Sequence, residues 1–303
     1  MENGCMQCPR KCGVDRRDGV GFCGASDEIR LARAALHPWE EPCISGANGS
    51  GTLFFVGCNL RCVYCQNRRI SRCGEVGVGV SDGQLEDIML QLQDEGAANI
   101  NLVTPTPYAV RLALILKRVR EKLHIPIVYN CGGYESVETL QMLDGLVDVY
   151  LPDFKYFSPQ LAETYSSASD YAAVATEALD EMLRQTGAPV MGQDGLMKRG
   201  VMVRHLVLPG CREDSIRILI FLKERYGNQK FLLSLMSQYT PAFADGDAPK
   251  NLRRRVTSFE YDQVLDVADR LGFEGYLQSR GSAVSDYTPD FEGEGVRSVI
   301  GRI

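Results

Sequence analysis

From residue 52 onward, short apolar runs alternate with longer amphipathic stretches. The runs at 52–56, 99–103, 125–129, 147–151, 201–207 and 231–236 have the length and continuity of buried strands. Between and after them, apolar residues recur at helical spacing over 82–95, 107–122, 135–143, 170–186, 213–225 and 258–271. An apolar patch at 273–277 adds a last strand. Strands that alternate with helices imply right-handed crossovers and a parallel sheet. The pattern predicts an α/β fold, and its repeated strand–helix units fit a partial TIM barrel, (β/α)6. A doubly wound sheet has the same alternation, and periodicity does not separate the two. In both, the active site belongs at the carboxyl ends of the strands.

The start of the chain reads differently. Residues 1–50 are rich in Cys, Gly and Arg and lack long apolar periodicity, so they bury little core alone. The expected organisation is a cysteine-rich metal-binding module at 1–50, a barrel at 51–280 and a C-terminal tail at 281–303. The tail has mixed charge and several glycines, the composition of a lid or a loosely attached segment. Of eleven cysteines, nine lie in the first 73 residues, and such clustering in a long chain points to metal rather than disulfides. Cys5, Cys8, Cys12 and Cys23 offer four thiolates as two close pairs. That set suits a tetrahedral zinc and equally a second 4Fe–4S cluster. Cys43 is either a fifth thiol of this group or a residue lining the active site. His37 and Trp39 are expected to pack the module onto the barrel, and Glu40 and Glu41 to lie near a basic partner.

Charge and polarity remove several function classes. The net charge of −6 leaves no footprint for nucleic acid or a membrane surface. The first residues lack an apolar signal core, and runs such as Ile218–Leu222 are too short to span a bilayer, so a cytoplasmic protein is expected. With only His37, His124 and His205 available, no Ser–His–Asp or Cys–His arrangement is apparent, and no phosphate-binding glycine motif occurs.

The sharpest signal is Cys58, Cys62 and Cys65 at C-x3-C-x2-C spacing, directly after the first apolar run. A loop leaving that strand can wrap three thiolates around an iron–sulfur cluster. A 4Fe–4S cube normally takes four cysteines, so three leave one iron open to a ligand that is not protein. A zinc knuckle would usually complete a set of four; buried free thiols are the other competing reading.

With Tyr64 just before the third cysteine, this stretch resembles the signature of the radical S-adenosylmethionine (SAM) superfamily. The resemblance implies that the open iron chelates the amino and carboxylate groups of SAM. It implies one-electron cleavage of SAM to methionine and a 5′-deoxyadenosyl radical, and a place for Tyr64 beside adenine. Further motifs resemble the pyruvate formate-lyase activating enzyme-like, or PflX-type, branch: Cys8-Pro9-Arg10-Lys11-Cys12, Glu40-Glu41-Pro42-Cys43, Asp153-Phe154-Lys155-Tyr156, Arg204-His205-Leu206-Val207-Leu208-Pro209 and Ser237-Gln238-Tyr239. That branch implies hydrogen-atom abstraction, with a glycyl radical enzyme as first substrate and another peptide or a small metabolite as second. It also implies a reductant such as flavodoxin or ferredoxin. A rival of another class is an iron–sulfur electron carrier or scaffold.

The strand ends supply the remaining candidates. Thr104 and Thr106 stand where many radical SAM enzymes hold Gly-Gly-Glu for the methionyl amino group. That motif is absent here, and the two hydroxyls are either its substitutes or turn punctuation. Asn130 follows the third strand in a turn similar to the Thr-Asn-Gly-Tyr of glycyl-radical-enzyme activases, which implies a contact to SAM. Asp153 and Lys155 share one face of the strand end, and in those activases such a pair lies near SAM. Arg204 is the guanidinium that would fork onto a carboxylate, while His205 points to the other face. Gln238 and Tyr239 occupy the place of an activase histidine, as ribose or substrate contacts.

Overall fold

The computed structural model describes residues 4–72, 76–246, 248–278, 289 and 291–300. The strands are β1 (Ile29–His37), β2 (Ser50–Phe55), β3 (Val78–Val80), β4 (Ile100–Val103), β5 (Ile127–Cys131), β6 (Val149–Pro152), β7 (Val190–Met191), β8 (Met197–Leu206), β9 (Leu232–Met236) and β10 (Gly275–Leu277). The helices are α1 (Pro42–Ser45), α2 (Arg68–Ser71), α3 (Asp82–Asp94), α4 (Ala109–Val119), α5 (Val137–Gln141), α6 (Pro159–Ser166), α7 (Tyr171–Thr186), α8 (Arg212–Tyr226), α9 (Ser258–Arg270) and α10 (Val296–Ile300).

Strand order decides between the two sheet architectures. The sheet runs β10-β9-β8-β6-β5-β4-β2-β1-β3, with β7 paired to β8. From β2 to β10 every step is parallel, and the order follows the chain without reversal. A doubly wound sheet reverses at a switch point; this one does not, so it is the open partial barrel. β4, β5 and β6 are buried at every residue, which is why they read as unbroken apolar runs. The helices cover the outer face. α4, for example, buries Leu112, Ile115, Leu116 and Val119 at helical spacing.

Local chemistry sets the helix ends. Ser81 with Gln84 and Thr257 with Glu260 form capping boxes that start α3 and α9. The helix expected over 107–122 is shorter as an α-helix because tight 3₁₀ turns at Thr106–Tyr108 and Arg120–Lys122 close both its ends. β8 begins four residues before its expected start because β7 pairs back onto it in antiparallel register.

Two features go beyond the expected elements. β1 pairs antiparallel with β2 and β3, so residues 29–37 belong to the main sheet. The described part of the tail is docked rather than loose. Gly293 N–H donates to Ala32 O, Ala34 N–H donates to Glu294 O, and Phe291 and Val296 are buried. A Cβ on Gly295, at φ 73°, would fall on the Ala34 carbonyl, so only glycine permits this approach. The rest of the expected tail, 281–288, 290 and 301–303, lies outside the described residues, as do the expected barrel boundary at 280 and Cys73.

Candidate active site at the strand ends

The cluster loop starts at a forced turn. Buried β2 runs into Gly57, whose φ is 95° and whose absent Cβ would lie 2.9 Å from the Cys23 carbonyl. There Cys58 N–H donates to that carbonyl at 3.0 Å, tying the motif to the N-terminal segment. Arg10 Nε donates to Asn59 O at 2.8 Å, and the Arg61 guanidinium lies 4.5 Å from the Phe22 ring centre. From the other side, Arg72 donates to the carbonyls of Arg61 and Cys62 and pairs with Asp245 at 2.7 Å. The loop is therefore held by two distant segments.

Its three sulfurs line one cavity of about 340 Å³. Each accepts a hydrogen bond: Cys58 Sγ from Leu60 N–H at 3.5 Å, Cys62 Sγ from Ser166 Oγ–H at 3.0 Å, and Cys65 Sγ from Ser71 Oγ–H at 3.5 Å. Burial, reinforced by the neighbouring sulfurs, pushes the Cys58 thiol up to about 12 and raises Cys65. A cationic iron centre offsets that penalty by binding the sulfurs as thiolates.

A buried charge network lines the same cavity. Lys155 Nζ is 2.5 Å from Asp153 Oδ2, and Arg204 approaches Asp153 Oδ1 at 3.1 Å. Arg204 also donates to Asn130 Oδ1 at 2.6 Å and reaches Glu40 Oε2 at 3.5 Å. Glu40 Oε1 accepts from Asn101 and Asn130. Burial works against ionised Asp153, but the Lys155 and Arg204 charges outweigh it and hold the carboxyl below its ordinary value. Glu40 goes the other way: burial raises it to about 7 against the pull of Arg204. Of the acidic pair, Glu40 thus pairs with a basic residue, as expected for it.

Of the residues read from the sequence, Cys58, Cys62, Tyr64, Cys65, Thr104, Asn130, Asp153, Lys155, Arg204, Gln238 and Tyr239 all line this cavity. Thr104 does so at φ 57°, an uncommon conformation for a β-branched residue. Thr106 is not among the lining residues; its buried hydroxyl donates to Glu135 at 2.7 Å. Tyr239 turns its hydroxyl away to the Leu252 carbonyl. His205 is buried, with both ring nitrogens engaged by Phe154 O and Ser215 Oγ. His37 packs edge-on to Phe54, whereas Trp39, expected to pack, is 58% exposed and lines the cavity. Cys43 is buried among Ile44, Val128, Val149, Leu151, Met197 and Met202 and is not among the lining residues.

Two lining residues carry buried acceptors without a partner, Glu41 Oε2 and Asn67 Oδ1. Such a wall is suited to a polar ligand. Among the described residues, no group of three or more His, Cys, Asp or Glu side chains is drawn together around a single metal-ion position. A 4Fe–4S cube makes a different demand, because each thiolate binds a different iron. Ser71, Ser166, Arg72 and Asp245 are the supporting residues that the sequence reading missed. The Ser158-Pro159 pair signals the start of the helix that carries Ser166, but nothing local places that helix beside Cys62.

Known proteins resemble this chain in sequence and in fold. The profile of the Radical SAM superfamily matches residues 52–197. A protein of Methanocaldococcus jannaschii described as uncharacterized is 27% identical over 282 residues, covering 89% of this chain and 75% of its own length. In fold, the chain is similar to a radical SAM methyltransferase from Sphaerobacter thermophilus, with a TM-score of 0.51 and 13% identity, over 78% of this chain and 68% of that one. A domain of pyruvate-formate lyase-activating enzyme from Bacteroides vulgatus aligns with a TM-score of 0.42 and 11% identity, over 58% of this chain and 94% of that one. Residues 52–197, which include the three motif cysteines and strands β3 to β6, therefore match the radical SAM domain, a family that implies a 4Fe–4S cluster and SAM.

Proposed function

We propose that this protein is a radical SAM enzyme of the glycyl-radical-enzyme activating type, with Cys58, Cys62 and Cys65 as the cluster ligands. The observation that carries the reading is the convergence of three hydrogen-bonded sulfurs and a buried Asp153–Lys155–Arg204 network on one cavity. When bound, the cluster supplies the electron that cleaves SAM to a 5′-deoxyadenosyl radical for hydrogen-atom abstraction. Arg204, Lys155 and Asp153 meet the charged groups of the methionyl end, with Asn130 and Thr104 as hydrogen-bonding neighbours. Gln238 and Tyr239 stand at the ribose side, and Tyr64 beside the adenine. Thr106 acts through Glu135, which it hydrogen-bonds. The strand-end walls exclude water from the radical.

A glycyl radical enzyme is the first substrate, with another peptide or a small metabolite as the alternative. At about 340 Å³ the cavity lies at the low end for ligand sites. A low-potential reductant such as flavodoxin or ferredoxin completes the reaction. We assign Cys5, Cys8, Cys12 and Cys23 to a second metal, zinc or 4Fe–4S, although the four thiols are not drawn around one metal-ion position in this structure. The Cys12 and Cys23 sulfurs both lie within 3.4 Å of where a Gly21 Cβ would be, which supports the grouping.

The test is anaerobic reconstitution followed by reduction in the presence of SAM. The wild-type protein should form 5′-deoxyadenosine. Cys58→Ala, Cys62→Ala and Cys65→Ala should each lose the SAM-cleaving cluster and its product. A protein that holds the cluster but leaves SAM intact would instead be an electron carrier.

A further inference from the structure

The sulfur of Cys62 ends a chain of three buried hydroxyls. Tyr64 Oη lies 2.6 Å from Tyr156 Oη, which lies 2.7 Å from Ser166 Oγ, which lies 3.0 Å from Cys62 Sγ. Tyr64 and Cys62 are each 7% exposed, and Tyr156 and Ser166 each 1%. Counting protons fixes the direction of the chain once Cys62 is a thiolate. A thiolate only accepts, and each hydroxyl has a single hydrogen to give. Ser166 must spend its hydrogen on Cys62. Tyr156 must then donate to Ser166, and Tyr64 to Tyr156. Every donor in the chain points toward the sulfur, and chains aligned in this way strengthen one another in a low-dielectric interior.

The placement of Ser166 is built rather than incidental. It is the last residue of α6, which starts at a Ser158 cap with Pro159 in the first turn. Asp214 accepts from Phe157 N–H and Ser158 N–H, fixing the entry to that helix. At the other end, Arg10 donates to the carbonyls of Ser166 and Ser167. The N-terminal segment and α8 together hold the hydroxyl on the sulfur.

We infer that Tyr64, Tyr156 and Ser166 form a directed hydrogen-bond relay that raises the reduction potential of the cluster held by Cys62. Reduction adds negative charge to the cluster and its thiolates, so a donor aimed at a ligand sulfur stabilises the reduced form more than the oxidised one. The three are positioning residues, acting through Cys62. The inference rests on the assignment of Cys62 to the cluster.

The test is a potentiometric titration of the reconstituted protein, followed by the paramagnetic signal of the reduced cluster, with iron and sulfide measured on the same samples. Ser166→Ala should retain its iron and lower the midpoint. Roughly a tenfold loss of reduced cluster at a fixed potential is expected, about 59 mV for one electron. Ser166→Thr, which keeps a hydroxyl, should restore the wild-type value. Tyr156→Phe should shift the midpoint in the same direction by less. A fully loaded Ser166→Ala protein with an unchanged or higher midpoint overturns the relay. If Ser166→Ala does not hold its cluster, Tyr156→Phe decides, and an unmoved midpoint there has the same consequence. A wild-type protein that binds no cluster overturns the Cys62 assignment, and the relay with it.

Discussion

At the scale of single residues, buried charge decides the behaviour of the site. Asp153, Lys155 and Arg204 have side chains only 15–17% exposed, so each depends on its partners. Arg204→Ala and Asp153→Asn each remove a charge-assisted hydrogen bond worth about 1.5–3 kcal/mol. Both are expected to weaken SAM binding roughly 10- to 100-fold with iron content unchanged, as equilibrium dialysis of the reconstituted protein would read. Unaltered affinity in both would mean that the network does not meet SAM. Glu135 gives a pH prediction. Burial raises it to about 7, against the hydrogen bonds from Thr106 and Tyr129 that favour its charged form. An unfolded glutamate titrates near 4.3. The folded state therefore binds the proton more tightly, and its advantage is full below the unfolded value and lost as pH rises through about 7. Wild-type stability to urea should fall between pH 5 and pH 8 more steeply than that of Glu135→Gln. Parallel pH profiles for the two proteins would contradict this.

Among the elements, turns position more of the chemistry than helices or strands do. Gly57 joins β2 to the cluster loop in a left-handed conformation, with Ala25 Cβ and the Cys23 carbonyl where a side chain would go. Gly57→Ala combines backbone strain of about 1–3 kcal/mol with a displaced Cys23 carbonyl. It should lower both the thermal midpoint and the iron bound per chain. A variant with normal iron and normal melting would show that the loop tolerates another path. Most elements of the barrel were legible because they are repetitive. An amphipathic helix and a fully buried strand each carry their own period. β1 was not legible: its Ile29 and Leu31 are separated by Arg30 and followed by Arg33, and its neighbours are cysteine-rich. Its partners, β2 and β3, had to be known before its apolar face made sense. α6 was missed for a related reason. It has only eight residues, too few for periodicity to stand out from the adjacent α7.

For the molecule as a whole, the issue is how the N-terminal segment serves the barrel. Besides Cys23, it contributes Arg10, Phe22 and Arg16 to contacts with Tyr134, Arg61 and Tyr108. The Gln7 carbonyl accepts from Ser136 and Thr139, at the start of α5. A segment so poor in core is expected to need metal to keep that shape. Metal analysis of a protein with Cys58, Cys62 and Cys65 all changed to alanine isolates the second site. One zinc, or about four irons with sulfide, should remain. Folded protein with neither would refute the second metal. The sequence by itself determined the three-cysteine motif and the strand–helix alternation, because both are written in short-range spacing along the chain. It also placed Asp153, Lys155 and Arg204 at strand ends, since a strand's period says which residues leave it together. Only the tertiary structure decided that Ser166 touches Cys62, that Glu40 meets Arg204 and that Cys23 holds Cys58. Those partners lie far apart along the chain, and their meeting depends on strand order and helix packing. No local pattern of side chains encodes either.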